Sequence, residues 1–144
     1  LASSSAASDV YKRQEIIMPK GKNLIVGCVY KHPTIDPKQF SNLLIPLFEK
    51  IKKEKKPVYI TGDFNIDLLK IETNKHTGEY FDLLTNNNLM PLITLPTRIT
   101  SSSKTLIDNI LYNQFSPDII SGNLTVSISD HIPQFSIIFI LFTS

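Results

Sequence analysis

Cysteine is nearly absent: Cys28 stands alone, so the chain can close no disulfide within itself and build no cysteine-based zinc site. That usage suits a reducing, intracellular compartment. Long apolar runs are missing too. The longest, residues 137–142, falls far short of the roughly 20 residues that cross a bilayer, so no membrane is expected as a partner. Nor is there a marked excess of charge of one sign. A formal net charge of +2 implies no nucleic-acid partner by itself; basic residues would have to gather on one face. No internal repeat is visible. What remains is a 144-residue chain, 42% hydrophobic and 19% charged, which is enough apolar material for one packed domain and argues against disorder.

Residues 1–14 differ in character from the rest. They are small and hydroxylated, then polar, with no apolar period and no continuous hydrophobic stretch of the kind a secretory signal requires. The run from Ser4 to Gln14 resembles a translated sequencing-library adapter, the alternative being an ordinary disordered terminus. The expectation is therefore a non-native or disordered segment at 1–14 and a partial domain at 15–144, cut upstream of Glu15.

From Glu15 onward the pattern alternates between strands and helices. Residues 24–30 form a near-continuous apolar run, as in a strand buried on both faces, and His32-Pro33 ends it. Asp36-Pro37 supplies a helix cap and first turn, after which Phe40, Leu43, Leu44, Leu47, Phe48 and Ile51 recur at helical spacing. Pro46 falls inside that pattern and should kink or split the helix. The lysines at 50, 52, 53, 55 and 56 read as a solvated helix terminus, a DNA-backbone contact being the alternative. A second strand is expected over 58–61 and a short helix over 77–85, stopped by Asn86-Asn87-Asn88. Further strands are expected over 105–111, 124–128 and 135–142. Strands interleaved with two helices give an α/β class with a mixed sheet.

Three stretches carry the chemistry: Gly62-Asp63-Phe64-Asn65, Leu106-Ile107-Asp108-Asn109 and Ser129-Asp130-His131. Each sets an acid beside a second polar group where an apolar run gives out, which is where sheet-based enzymes assemble their sites. Phosphodiester cleavage needs an activated water, neutralisation of developing charge and a metal or cation near the leaving oxygen. Asp63 is placed to act as a base, and Asn65, two residues on, can share its face and hold water or a phosphate oxygen. The same residues are also ordinary turn formers. Asp130 and His131 reach one site only if the strand has ended there, which Pro133 favours. Asp108 is the candidate to orient His131. Tyr30 ends its strand and offers a hydroxyl to a phosphate, packing being the alternative. Arg98 reads as a DNA-backbone contact or an ion pair. His32 and His76 are expected in exposed loops, Asp67 as an exposed turn acid and Asn109 as structural.

In this order, Val29-Tyr30, Gly62-Asp63-Phe64-Asn65, Ile107-Asp108-Asn109-Ile110 and Ser129-Asp130-His131 resemble the endonuclease/exonuclease/phosphatase superfamily, with its DNase I-like fold. Residues 62–69, 91–100 and 105–110 resemble more closely the endonuclease domain of non-LTR (LINE-like) retrotransposon polyproteins. The resemblance covers nearly all of 24–139. It implies a four-layer α/β sandwich with mixed sheets and a phosphodiester hydrolase using Mg²⁺ or Mn²⁺. It gives Asp63 the activation of water, Asn65 its orientation and Tyr30 a bond to the scissile phosphate. Asp108 would orient a transition-state-stabilising His131, and Asp130 would stand in the metal shell. In that setting the substrate is DNA, nicked to prime reverse transcription in the nucleus, and the domain is continuous with a reverse transcriptase. Two departures stand out. The family's upstream asparagine and glutamate have no counterpart here, so this fragment is expected to be inactive alone, with exposed apolar faces that favour aggregation. Lys31-His32 stands where relatives often have Arg-Pro. The other readings are a superfamily member acting on abasic DNA or a phosphorylated small molecule, and a non-catalytic nucleic-acid-binding remnant.

Overall fold

The backbone pairs hydrophobic strands into one mixed sheet whose topology fixes where the three motifs meet. The computed structural model describes residues 11–16, 23–114, 119–126 and 128–138. In chain order these form β1 (Tyr11–Ile16), β2 (Leu24–Tyr30), α1 (Pro37–Glu54), β3 (Val58–Asp63), a 3-10 turn (Leu68–Lys70), α2 (Lys75–Asn86), β4 (Met90–Pro91), β5 (Arg98–Ile99), β6 (Lys104–Thr105), β7 (Asp108–Tyr112), β8 (Ile119–Asn123) and β9 (Gln134–Ile138). The main sheet has the order β1-β2-β3-β7-β4, while β5–β6 and β8–β9 are separate two-stranded ribbons. β2 and β3 run parallel, with α1 as their crossover; the other pairs are antiparallel.

Register separates the sheet's two faces. Ile25, Gly27 and Val29 of β2 align with Val58, Ile60 and Gly62 of β3, and Ile60 aligns with Leu111 of β7. The side chains on this face are almost wholly buried, and the apolar stripes of α1 (Phe40, Leu44, Leu47, Phe48, Ile51) and α2 (Tyr80, Leu84) cover it. Phe40, Phe64 and Tyr80 meet at ring separations near 6 Å. On the other face lie Cys28, Tyr30, Tyr59, Asp63, Asp108 and Tyr112, with the rings of Tyr59 and Tyr112 stacked at 4.2 Å.

Several sequence expectations hold and several shift. β2 occupies the expected 24–30, and α1 begins at Pro37 behind Asp36, whose Oδ1 accepts from the backbone N–H of Lys38 and Gln39. Pro46 does not split α1, which runs unbroken for 18 residues with the proline on its exposed side. α2 begins two residues early, because the Asn74 side chain caps it, and so His76 lies in a helix and not in a loop. The strand expected over 124–128 lies instead at Ile119–Asn123. β9 aligns Asn123 with Gln134, and after Leu124 N–H donates to the Pro133 carbonyl the chain leaves the ribbon. Leu124 and Val126 are exposed, so their alternation marks no buried face.

At the start, Tyr11–Ile16 pairs along β2, so the sheet begins four residues before the boundary read from composition. Pairing along a free edge uses only the backbone and is open to native and foreign residues alike. Residues 1–10 and 139–144, parts of the expected foreign segment and the expected last strand, lie outside the described residues.

Candidate active site

Register alone brings three of the singled-out residues into a row. Tyr30 aligns with Asp63 and Asp63 with Asp108, so β2, β3 and β7 present one phenol and two carboxylates side by side at the same end of the sheet. The last turn-ward residues of β3 include Gly62, whose φ of 155° and whose contact with the β2 backbone exclude other residues. A Cβ there would sit 1.8 Å from the Val29 carbonyl oxygen. Asp63 then caps the turn, its Oδ1 accepting from Asn65 N–H at 3.0 Å. Asn65 takes a left-handed conformation (φ 45°) and donates Nδ2 to the Lys31 carbonyl at 2.8 Å. That bond fixes the amide and leaves its oxygen as the acceptor.

The third motif closes on this row from the far end of the chain. The Ser129 hydroxyl accepts from His131 N–H and donates to the His131 carbonyl, which shapes the turn. A bridge between Arg98 and His131 and a bond from Ile132 N–H to the Thr97 carbonyl tie the turn to β5. The His131 ring donates Nδ1–H to both oxygens of Asp108, at 3.2 and 3.1 Å, so Nε2 is the atom left for a ligand. Ligand atoms of Asp63, Asp108 and His131 all lie within 4.8 Å of one another, a spread that oxygen and nitrogen donors around a divalent cation would show. These donors fit such an ion.

Charge in the row is balanced by opposing effects. Burial pushes the Asp63 carboxyl above the usual carboxylate value, and the nearby Asp108 adds to the rise. Hydrogen bonds from Asn65 and the charge of His131 pull it back. Asp130 stands apart. Its carboxylate is engaged by Arg98 Nε at 2.7 Å, and that guanidinium holds it below the usual range. Both side chains are about two-fifths exposed, and neither belongs to the trio. Tyr30 is half exposed, its ring edge-on to His32.

Other residues settle into supporting parts. Asp67, expected to be an exposed turn acid, is largely covered. It caps the 3-10 turn through Leu69 N–H and clamps the Leu106 N–H at 2.9 Å, bringing β7's approach against the Asp63 turn. Asn109 is buried, bonding both the N–H and the carbonyl of Ile93. Thr97, which no sequence motif singles out, is fully buried, and its Oγ1 accepts from the N–H groups of Ile107 and Asp108 at 3.2 and 3.0 Å. It positions the Asp108 backbone. Lys31 is almost wholly buried as well. The alternation that buries 25, 27 and 29 places residue 31 on the same side, and this was the available signal. The lysines that follow α1 precede β3, about 20 Å along the strand from Asp63. They are no part of this site.

The profile of the endonuclease-reverse transcriptase family matches residues 24–135. None of the curated proteins matches the chain by sequence. Among solved structures, the endonuclease domain of TRAS1, a telomere-specific non-LTR retrotransposon, superposes with a TM-score of 0.68 at 16% identity, covering 88% of this chain and 62% of that one. Beta toxin from Staphylococcus aureus gives 0.66 at 16% identity over 89% of this chain and 56% of that one. The Xenopus laevis APE2 catalytic domain gives 0.58 at 22% over 88% and 54%. At these identities the likeness is one of fold. This chain spans between half and two thirds of the length of each of these structures.

Proposed function

Because the chain belongs to the endonuclease-reverse transcriptase family, we propose that it carries part of the active site of a phosphodiesterase that nicks DNA with the help of Mg²⁺ or Mn²⁺. The observation that carries this reading is the row of Tyr30, Asp63 and Asp108, completed by His131 held on Asp108. The Asp63 and Asp108 carboxylates are the groups that would hold the cation, which would supply neutralisation of charge on the phosphate. The chain's own groups account for the rest. Asp63, with its carboxylate less acidic than usual, accepts the proton of the attacking water. The Asn65 oxygen, freed by the bond to Lys31, orients that water. The Tyr30 hydroxyl and His131 Nε2 donate toward phosphate oxygens as charge develops there, and Asp108 fixes the imidazole for that purpose.

The finer reading is a retroelement enzyme whose nick primes reverse transcription, within a polypeptide that also holds a reverse transcriptase. The order of the motifs and the TRAS1 fold likeness support it. In this setting Asp130 and Arg98 line the substrate path beside the trio, Arg98 toward a DNA phosphate and Asp130 toward the outer shell of the cation.

Conversion of supercoiled plasmid to open circles in Mg²⁺ tests the reading. Turnover is expected to be slow at best, in keeping with the expectation that the fragment is inactive alone, since no glutamate among the described residues joins the trio. Asp63→Ala and His131→Ala should each lower it by roughly 100-fold or more, the scale seen on removing an acid–base or charge-stabilising group. Equal nicking by the wild type and both variants would sink the catalytic assignment.

A further inference from the structure

Asp108 and His131 stand 23 positions apart in the chain, yet their side chains meet at 3.1 and 3.2 Å. Something has to bring their backbones into range. Asp108 lies at the entry of β7, beyond the reach of β4. That strand pairs with Leu111 and Tyr112, and Leu92 N–H then reaches the Ile110 carbonyl before the chain runs on to β5. The N–H groups of Ile107 and Asp108 are taken instead by one side-chain atom, Thr97 Oγ1, at 3.2 and 3.0 Å. Two acceptor sites on the hydroxyl oxygen meet two donors, so its accepting capacity is fully used.

The backbone of the same residue holds the other half of the pair. The Thr97 carbonyl accepts from Ile132 N–H at 2.7 Å, directly after His131, and Arg98 bridges to His131 itself. Thr97 N–H donates to the Thr105 carbonyl at 2.9 Å, which anchors the residue at the base of the β5–β6 ribbon. One residue thus fixes the main chain at Asp108 through its side chain and the main chain beside His131 through its carbonyl. It has no exposed surface, so these bonds are sealed from water. Its β-branched side chain has few χ1 choices, which keeps the oxygen aimed at the entry of β7. Serine would offer the same oxygen on a freer side chain, and valine the same shape with no acceptor.

Resting on the phosphodiesterase reading, we infer that Thr97 is a positioning residue that clamps both halves of the pair, setting Asp108 and His131 at the separation that keeps the proton on His131 Nδ1 and leaves Nε2 for the phosphate. It touches neither phosphate nor cation and acts only through the pair. Loss of the hydroxyl leaves two buried N–H groups without an acceptor, and the start of β7 must shift or open to regain one. A shift of ~1 Å is enough to break a side-chain hydrogen bond. Substitution leaves the Thr97 carbonyl in place, so His131 stays and the displacement falls on Asp108.

The His131 ring reads this without any turnover. In the full chain, in EDTA at alkaline pH, ring nitrogen chemical shifts tell which nitrogen carries the proton, with His131 assigned from its loss in His131→Gln. Wild type and Thr97→Ser should hold the proton on Nδ1. Thr97→Val and Thr97→Cys offer no acceptor or only a weak sulfur, and should move roughly half of it or more to Nε2. In the nicking assay these two should lose roughly tenfold in kcat with KM within about twofold of wild type, while Thr97→Ser stays within about twofold in both. A folded Thr97→Val or Thr97→Cys that keeps the proton on Nδ1 overturns the inference, as does a wild type with the proton on Nε2. Failure of both variants to fold would make the residue a folding contact and overturn it too. The tautomer series decides Thr97 whether or not the chain turns over DNA. Nicking undiminished in Asp63→Ala and His131→Ala sinks the phosphodiesterase reading instead.

Discussion

Asp63 sits where burial and charge pull in opposite directions, and its place in the row rests on that tension. Burial, with Asp108 alongside, raises its folded-state pKa above the ordinary 3.8. A group shifted this way contributes stability that is fully present below its unfolded pKa and is lost as pH rises through the folded one. Ionised Asp63 therefore weighs against the fold at neutral pH. Asp63→Asn, melted in EDTA, should be more stable than wild type at pH 7, and the gap should close as pH falls below about 3.8. The size should be modest, on the order of 1 kcal/mol or less because the group is partly solvated, which is a few degrees in Tm. A variant that melts at or below wild type at pH 7 would show that the carboxylate is fully compensated. Asp130 carries the opposite sign, being held low by Arg98, but that pair is exposed and adds little. Asp63, Asp108 and His131 were legible in the sequence because each lies in a short stretch of characteristic chemistry. Lys31 and Thr97 were not, since a lone lysine or threonine acquires meaning only from what covers it.

Elements were legible where one local signal dominated. Asp36-Pro37 starts α1 where capping chemistry places it, and the stripe from Phe40 to Ile51 is its buried face. Pro46 shows a local rule yielding to tertiary packing. The ring removes one backbone bond and crowds the preceding turn, yet burial of Phe40, Leu44, Leu47, Phe48 and Ile51 on the far side keeps the helix whole. Pro46→Ala should restore the missing bond at an exposed helical site and raise stability by about 1–3 kcal/mol, read as a higher urea midpoint with an unchanged m-value. No gain would mean that the helix has already relaxed around the proline. β8 was misplaced for the reverse reason. Residues 124–128 alternate as a strand should, but alternation marks a strand only if a partner and a covered face exist. β9 pairs with 119–123 instead.

Across the whole molecule, one face of the sheet is sealed by two helices while the β8–β9 ribbon leaves apolar side chains in solvent. Ile120 and Ile137 are directly paired and each about half exposed, and Leu124 and Val126 follow close by. Such a patch favours self-association. Replacing Ile120 and Ile137 by Thr should reduce concentration-dependent light scattering while keeping Tm within about 2 °C, since threonine keeps the β-branched shape and little burial is lost. Unchanged scattering would assign the association to another surface, and a large fall in Tm would show the pair to be a structural contact. At this scale the sequence by itself determined the α/β class, the main helices and strands, and the identities of the acids, the amide and the imidazole, because capping, periodicity and side-chain chemistry act over a few residues. Only the tertiary structure decided that Tyr30, Asp63 and Asp108 share one row, that His131 closes on Asp108 while Asp130 turns to Arg98, and that Lys31 is buried. Those facts depend on strand register between segments far apart in the chain, such as Tyr59 and Tyr112, and register is set by how whole faces bury against one another.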